Sequence, residues 1–83
     1  MPKSVFSSAY EQFRARLIHA RTDAGLTQTD VAELLQRPQS YVSKYENGER
    51  RLDVIEFLEI AQVLQIDVAA VVHDLQQYLP KRT

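Results

Sequence analysis

The chain has 83 residues, 45% of them apolar or aromatic, which fits one globular domain over residues 1–83 and is too apolar for a disordered protein. Without cysteine no disulfide can stabilise it, and a net charge of −1 argues superficially against a nucleic-acid partner. The longest apolar run, residues 68–72, is too short to span a membrane and no signal peptide opens the chain, so a cytoplasmic protein without membrane contact is expected.

Apolar residues recur at three- and four-residue steps and alternating strand patterns are lacking, so an all-α domain of five helices is predicted. The first helix is expected from about Ser8 to Ala24, where Gly25 supplies the left-handed residue that ends it. The second is expected over about residues 28–35, with Thr27 as its N-cap. The residues expected to face inward are Tyr10, Phe13, Leu17, Ala20 and Ala24 in the first helix and Val31, Leu34 and Leu35 in the second.

The third helix is expected over about residues 38–46, with Val42 and Tyr45 facing inward. Only two or three residues separate it from the second helix, and two short helices joined so tightly must cross steeply. The pair over about residues 27–47 is therefore predicted to be a helix-turn-helix, although any small helical bundle could contain such a joint.

The fourth helix begins with a predicted capping box, in which Asp53 and Glu56 each accept a hydrogen bond from the other's backbone amide. A fifth helix is predicted from its N-cap Asp67 to about Leu79, before Pro80. The apolar residues that define the fourth helix are Val54, Phe57, Leu58, Ala61 and Leu64.

The charged residues divide the chain into a basic and an acidic part. Residues 36–52 have a local balance of +2, while residues 53–79 contain no Lys or Arg and have a balance of −5. A local basic region matters more for binding a polyanion than the charge of the whole chain. The counts therefore allow nucleic-acid binding through residues 36–52, although chance clustering on a solvated surface would give the same numbers.

The stretch AGLTQTDVAELLQRPQSYVSKYENGER carries a set of residues at fixed spacings: Gly25 to Gln28, Val31, Ala32, Leu35, Gln39, Ser40, Val42 to Gly48, and Arg50 or Arg51. This set closely resembles the DNA-binding domain of the XRE family, the Cro and lambda-repressor-like regulators, and the resemblance covers roughly residues 10–67. It implies a compact five-helix domain that binds double-stranded DNA in a sequence-specific way. The expected role is a small transcriptional regulator, in the first instance a repressor, that needs no cofactor.

In a helix-turn-helix, the second helix lies in the major groove with its N-terminal residues at base edges. The predicted base-contacting residues share the face opposite the buried side of the third helix: Gln39, Ser40, Ser43 and Lys44. Glutamine pairs bidentately with adenine, and lysine favours guanine. The resemblance further implies that Gln28 contacts a phosphate and braces Gln39.

Other polar residues around the pair are predicted to contact the DNA backbone, where they fix the register without reading sequence. Tyr41 is expected to point outward if Val42 is buried, and there it either stacks on a sugar or thymine methyl or stays idle. Arg50 and Arg51 would look the same in an ordinary solvated loop. The predicted backbone contacts are Thr27, Gln28, Arg37, Tyr41, Asn47, Arg50 and Arg51.

Four residues bear on how the recognition helix is held. The resemblance implies an internal salt bridge between Arg21 and Glu46 that joins the first helix to the third. Gln36 stands where the family usually has glycine, so it is expected to adopt the left-handed conformation at some cost. Pro38 replaces the usual Ser or Thr at the start of the third helix, which loses a hydroxyl cap.

A homodimer on an inverted-repeat operator is expected. One recognition helix with two base contacts supplies roughly 2–6 kcal/mol of discrimination, and regulators need roughly 4–10 kcal/mol. Apolar residues make up 17 of the 27 residues from 53 to 79. The alternative is that the fifth helix is simply central to a thin core. The predicted dimer interface lies on this helix, at Val68, Val71, Val72, Leu75, Tyr78 and Leu79.

The sequence has no pattern for catalysis or metal binding, so no enzyme, cofactor or metal site is expected. His19 and His73 are distant in sequence, and without cysteine a zinc site would need a His and carboxylate cluster that is not apparent. Two other functions remain open. One is an antitoxin, whose acidic and apolar C-terminal half would also bind a toxin. The other is a protein-interaction module that has lost DNA binding.

Overall fold

The predicted all-α fold is confirmed. The structure, a computed structural model, describes residues 8–80, and these form five helices. The ends of the predicted domain, residues 1–7 and 81–83, lie outside the described residues. The helices are α1 (Ser8–Asp23), α2 (Gln28–Leu35), α3 (Gln39–Asn47), α4 (Val54–Leu64) and α5 (Val68–Gln76).

Two capping boxes fix where α2 and α4 begin. The Thr27 hydroxyl accepts a hydrogen bond from the Asp30 amide at 3.0 Å, and the Asp30 carboxylate accepts one from the Thr27 amide at 2.9 Å. Asp53 and Glu56 make the same exchange at 2.7 and 3.0 Å. Each box satisfies amides that the first helical turn leaves unpaired, so both predicted N-caps are confirmed.

A left-handed residue follows each of the first four helices, two positions after α1 and directly after α2, α3 and α4. Gln36, as expected, takes φ 59° at the end of α2 and lets the chain turn into α3 within three residues. Pro38 lies one position before α3, as its N-cap, and supplies no side-chain hydrogen bond to the helix. Gly25 and Gly48 have φ values of 75° and 89°, which only glycine adopts without strain.

The core holds the helix-turn-helix against α1 and α4. Val31 of α2 and Val42 of α3 are both fully buried, so they fix the contact between the two short helices. Phe13 of α1 and Phe57 of α4 meet edge to face, with ring centroids 5.0 Å apart. The buried core residues are Tyr10, Phe13, Leu17, Val31, Ala32, Tyr41, Val42, Tyr45, Phe57, Ile60, Ala61, Leu64 and Val71.

Two predicted inward positions are wrong. Leu34 is 56% exposed, because Val31, Ala32 and Leu35 already fill the inward arc of α2 and residue 34 lies about 100° away from Leu35 around the helix. Ala24 is exposed, since α1 ends one residue earlier than predicted. On α4, Val54 is 71% exposed and Leu58 is 42% exposed.

The fifth helix differs most from its prediction. It ends at Gln76 rather than near Leu79, and residues 77–79 form turns. Val71 is only 3% exposed and belongs to the core, and the partly buried side chains of Val68 and Leu75 pack against that core. The expectation that Val71 lies in a dimer interface is therefore wrong, because its side chain is buried within its own domain. The predicted interface residues that remain exposed are Val72, Tyr78 and Leu79.

The two glycines provide a matched test of the helix ends. Gly25→Ala and Gly48→Ala both force a side chain into the left-handed region, and each should lower the free energy of unfolding by about 1 kcal/mol. Gly48→Ala should cost more, because its new Cβ would lie 3.2 Å from the Arg14 guanidinium carbon, whereas the Cβ at Gly25 meets open space. Urea unfolding of both variants measures the difference. Equal losses, or a larger loss at Gly25, would contradict the packing described.

Candidate nucleic-acid interface

The outer face of α3 carries the residues predicted to contact bases. Gln39, Ser40 and Lys44 are exposed and Ser43 is half-buried. On the opposite side Val42 and Tyr45 are buried. The helix therefore rests on its apolar side and presents its polar side chains at the surface of the domain, as the helical spacing predicted.

Tyr41 does not point outward as expected. Its side chain is buried, at 8% exposure, and its ring meets Tyr45 edge to face at 5.5 Å. Tyr41 lies four residues before Tyr45, so the two side chains share one helix face. The prediction of an outward Tyr41 takes only the burial of Val42 into account. Within residues 8–80 the Tyr41 hydroxyl has no hydrogen-bond partner, and burial raises the pKa of this phenol. A buried hydroxyl cannot reach DNA without rearrangement.

Two arginines cover the Tyr41 ring and are tied to α4. The guanidinium carbons of Arg37 and Arg50 lie 4.6 and 5.0 Å from its centroid, within cation–π range. Arg37 Nη2 donates to Glu59 Oε1 at 3.0 Å, and Arg50 donates to both oxygens of Glu56 at 3.0 and 2.8 Å. Both arginines are predicted backbone contacts, so a phosphate would have to compete with a carboxylate for each of them.

Arg51 is placed differently from Arg50. Its guanidinium carbon lies 4.0 Å from the Tyr10 ring centroid, and among residues 8–80 it has no carboxylate partner. Asn47 forms a local turn with Glu49, whose amide donates to Asn47 Oδ1 at 3.0 Å. The Thr27 hydroxyl already caps α2. Arg51 is therefore the arginine of this group best placed to contact a phosphate.

A buried ion pair joins α1 to α3, as the resemblance implied. Glu46 is 5% exposed, and Arg21 donates from Nε to Glu46 Oε2 at 2.7 Å and from Nη2 to Oε1 at 3.0 Å. The hydrogen bonds to Glu46 raise the pKa of Arg21. Arg21 also donates to the Leu26 carbonyl at 3.0 Å, so it ties the loop after α1 to the same point.

Gln28 links this ion pair to the surface. Its Nε2 donates to Glu46 Oε1 at 2.9 Å, and its Oε1 accepts a hydrogen bond from Gln39 Nε2 at 2.8 Å. The expected brace between Gln28 and Gln39 is thus confirmed. It is anchored more deeply than expected, because the chain of hydrogen bonds continues to a buried carboxylate.

Arg14 is a supporting residue that sequence reasoning missed. Its Nε and Nη2 donate to the Glu46 carbonyl at 3.1 and 2.9 Å, which satisfies an acceptor near the end of α3. Its Nη1 donates to Glu11 on its own helix at 2.8 Å. The spacing to Glu11 is a local signal of pairing, but nothing local indicates a partner 32 residues away.

Within residues 8–80, no group of three or more His, Cys, Asp or Glu side chains could hold a metal ion. No helix among these residues is both long enough and apolar enough to cross a membrane.

The ion pair between Arg50 and Glu56 should be visible in the acid stability of the domain. The hydrogen bonds from Arg50 and from the Asp53 amide lower the pKa of Glu56 from 4.5 to about 2. The lowered pKa adds stability above pH 4.5 that is lost as the pH falls through about 2. Glu56→Gln, which keeps an acceptor for the capping box, should flatten this acid loss in urea unfolding between pH 5 and about 2. An unchanged acid slope would contradict the pairing.

Comparisons with known proteins agree on the family. The helix-turn-helix family model matches residues 17–71, which include α2, α3 and α4. Among solved structures, an XRE-family like protein from Pseudomonas syringae pv. tomato str. DC3000 is 44% identical, with a TM-score of 0.80. The alignment covers 88% of this chain and 89% of that one. No curated protein matches the chain.

The matched segment contains the outer face of α3, the hydrogen-bonded pair Gln28 and Gln39, and both partners of the buried ion pair. Members of this family are DNA-binding regulators rather than enzymes, which agrees with the function that the sequence predicted. The chain belongs to the XRE family of helix-turn-helix DNA-binding regulators.

Proposed function

We propose that this regulator is a repressor that binds an inverted-repeat operator as a homodimer and reads bases through Gln39, Ser40, Ser43 and Lys44. The observation that carries the proposal is the braced position of Gln39. It is exposed on the outer face of α3, yet its side chain is held at 2.8 Å by Gln28. An exposed glutamine fixed in this way pays less conformational entropy on pairing with a base than a free one.

The remaining hydrogen-bonding groups on Gln39 fit adenine. One Nε2 hydrogen is used by Gln28, which leaves a second N–H donor and the Oε1 acceptor. Adenine presents N7 as an acceptor and the N6 amino group as a donor in the major groove. Lys44, exposed on the same helix, suits the two acceptors of guanine. We therefore infer an adenine opposite Gln39 in each half-site.

Arg51 and the arginines around Tyr41 supply the proposed backbone contacts. Within residues 8–80 Arg51 is paired with no carboxylate, whereas Arg37 and Arg50 must exchange Glu59 and Glu56 for phosphates. Such an exchange replaces one charge-assisted hydrogen bond by another and gains little free energy. The domain should therefore bind non-specific DNA weakly, and its preference should depend on base contacts.

A homodimer supplies two recognition helices, one for each half-site of an inverted-repeat operator. Half-site centres one helical turn apart, about 34 Å, fit two copies of α3 related by a two-fold axis. The exposed apolar residues at the end of the chain, Val72, Tyr78 and Leu79, are between 42% and 52% exposed and would be covered by the partner. We propose these three residues as the dimer surface, and Val71 is left out because its side chain is buried in the core.

A second candidate function is an antitoxin. On α4, Val54, Ile55 and Leu58 are 71%, 63% and 42% exposed, and their spacing places them on one side of the helix. This second apolar group is separate from the proposed dimer residues in sequence, and a toxin could cover it. A neighbouring gene whose product binds this chain, and loses binding on Leu58→Asp, would favour the antitoxin.

Two substitutions separate base reading from backbone contact. Selection from a random duplex pool supplies the preferred site, and fluorescence anisotropy then measures affinity for that site and for single-base changes. Gln39→Ala should cost about 1–3 kcal/mol and relax preference at one position per half-site. Arg51→Ala should weaken all duplexes similarly and reduce the slope of log K against log salt by about one per subunit.

Two outcomes would contradict these assignments. If Arg51→Ala changed the preferred bases, the sorting into base and backbone contacts would be wrong. If the unchanged chain bound no duplex even at low salt, the repressor and the antitoxin with autoregulatory DNA binding would both be excluded. The module that has lost DNA binding would then be favoured.

The dimer surface can be tested by adding charge to it. Val72→Asp should shift the chain from dimer to monomer in sedimentation velocity and weaken operator binding, because an aspartate would be desolvated at the interface. Thr22→Asp adds the same charge at an exposed site on α1 and should leave the dimer intact. A Val72→Asp variant that remained dimeric would place the interface elsewhere.

A further inference from the structure

We propose that Glu46, a side chain inside the protein, determines which base Gln39 prefers. Its carboxylate fixes the direction of the hydrogen bonds that run from Glu46 through Gln28 to Gln39. The inference rests on the proposed function, because it assumes that Gln39 meets a base. It adds a residue that sets specificity without contacting DNA.

The direction of these hydrogen bonds is fixed at Glu46. Both of its oxygens accept hydrogen bonds from Arg21, at 2.7 and 3.0 Å, and a carboxylate paired with an arginine in this way has no hydrogen to donate. Gln28 has one donor end and one acceptor end, and only the donor end can face the carboxylate. Gln28 Nε2 accordingly lies 2.9 Å from Glu46 Oε1.

Gln28 transmits that direction to Gln39 at the surface. With Nε2 turned inward, Gln28 presents Oε1 to Gln39, which must then donate from its own Nε2, at 2.8 Å. Gln39 keeps one N–H and its oxygen for a base. That pair complements the N7 acceptor and N6 donor of adenine, whereas guanine would place its O6 acceptor against the Gln39 oxygen.

The opposite direction would favour the other purine. If Gln28 offered Nε2 to Gln39, then Gln39 would accept with its oxygen and turn both N–H groups toward the DNA. Two donors suit the N7 and O6 acceptors of guanine. The choice between adenine and guanine therefore depends on which way the side-chain amides of Gln28 and Gln39 point. Of the three hydrogen-bonded side chains, only the Glu46 carboxylate cannot exchange a donor end for an acceptor end.

Glu46 cannot act on the base directly. It lies seven residues after Gln39 on α3, about 10.5 Å further along the helix axis at about 1.5 Å per residue. It is also 5% exposed. Its influence on the base passes through Gln28 on the neighbouring helix, so Glu46 is a positioning residue.

The test compares adenine with guanine at the position that Gln39→Ala identifies. Glu46→Gln alone leaves Arg21 without a carboxylate and can unfold the domain. The double change Arg21→Met with Glu46→Gln removes both charges, and its new amide can offer Gln28 either end. In the unchanged chain, adenine should be preferred over guanine by about tenfold or more. In the double variant the preference should fall to within about threefold, with circular dichroism confirming the fold.

Glu33→Gln is the control for the glutamate-to-glutamine part of the double change. Glu33 is exposed on α2, and its carboxylate has no partner among residues 8–80. The substitution removes one negative charge and leaves the hydrogen bonds between Glu46, Gln28 and Gln39 in place. The preference for adenine should therefore stay as in the unchanged protein. A folded double variant with an undiminished preference would overturn the role of Glu46 and leave the proposed function standing.

A measurement on the free protein tests the direction without DNA and without the variant. In ¹⁵N–¹H spectra of the unchanged chain, the Gln28 and Gln39 side-chain amides should each show one hydrogen protected from exchange. Coupling across the hydrogen bond should join Gln28 Nε2 to the Glu46 carboxylate. Gln28 amide hydrogens that exchange freely would overturn the inference. A chain that binds DNA without preferring adenine opposite Gln39 would overturn the base assignment of the proposed function and this inference with it.

Discussion

The rest of the recognition surface depends on one buried ion pair, between Arg21 and Glu46. It joins the end of α1 to α3, and Arg14 adds two hydrogen bonds to the backbone carbonyl of the same glutamate. Burying two charges gains little net stability, but removing one of them costs about 3–5 kcal/mol because the other is left unpaired. The pair thus fixes the position of α3 on the rest of the domain more than it stabilises the fold.

The charges near the interface explain how a chain with a net charge of −1 can be a DNA-binding protein. The basic residues lie close to the recognition helix, but Arg37 and Arg50 are held by Glu59 and Glu56 of the acidic segment. In the proposed complex, phosphates would compete with these carboxylates, so the part of the affinity that depends on salt and not on sequence would be limited. Discrimination would then depend on well-oriented base contacts, and a buried anchor for Gln39 fits that requirement.

Local signals predicted much of this structure, and distant contacts account for what they missed. The sequence predicts Thr27 and Asp53 as caps because the residues that form a capping box lie within four positions of one another. The pairs Arg21–Glu46 and Gln28–Gln39 followed from family resemblance rather than from spacing. Tyr41 was placed wrongly and the partners of Arg14 and of the two interface arginines were missed, because those contacts depend on how α1, α3 and α4 pack. The dimer surface and base contacts need a second molecule, which a single chain does not contain.

The structure of the domain bound to its selected duplex tests the central claim most directly. We expect α3 to lie in the major groove, with Gln39 Oε1 and Nε2 within hydrogen-bond distance, about 3 Å, of adenine N6 and N7. Gln28 should keep its contacts with both Gln39 and Glu46 in that complex. A complex in which Gln39 leaves Gln28 to reach the base, or in which α3 lies outside the groove, would contradict it.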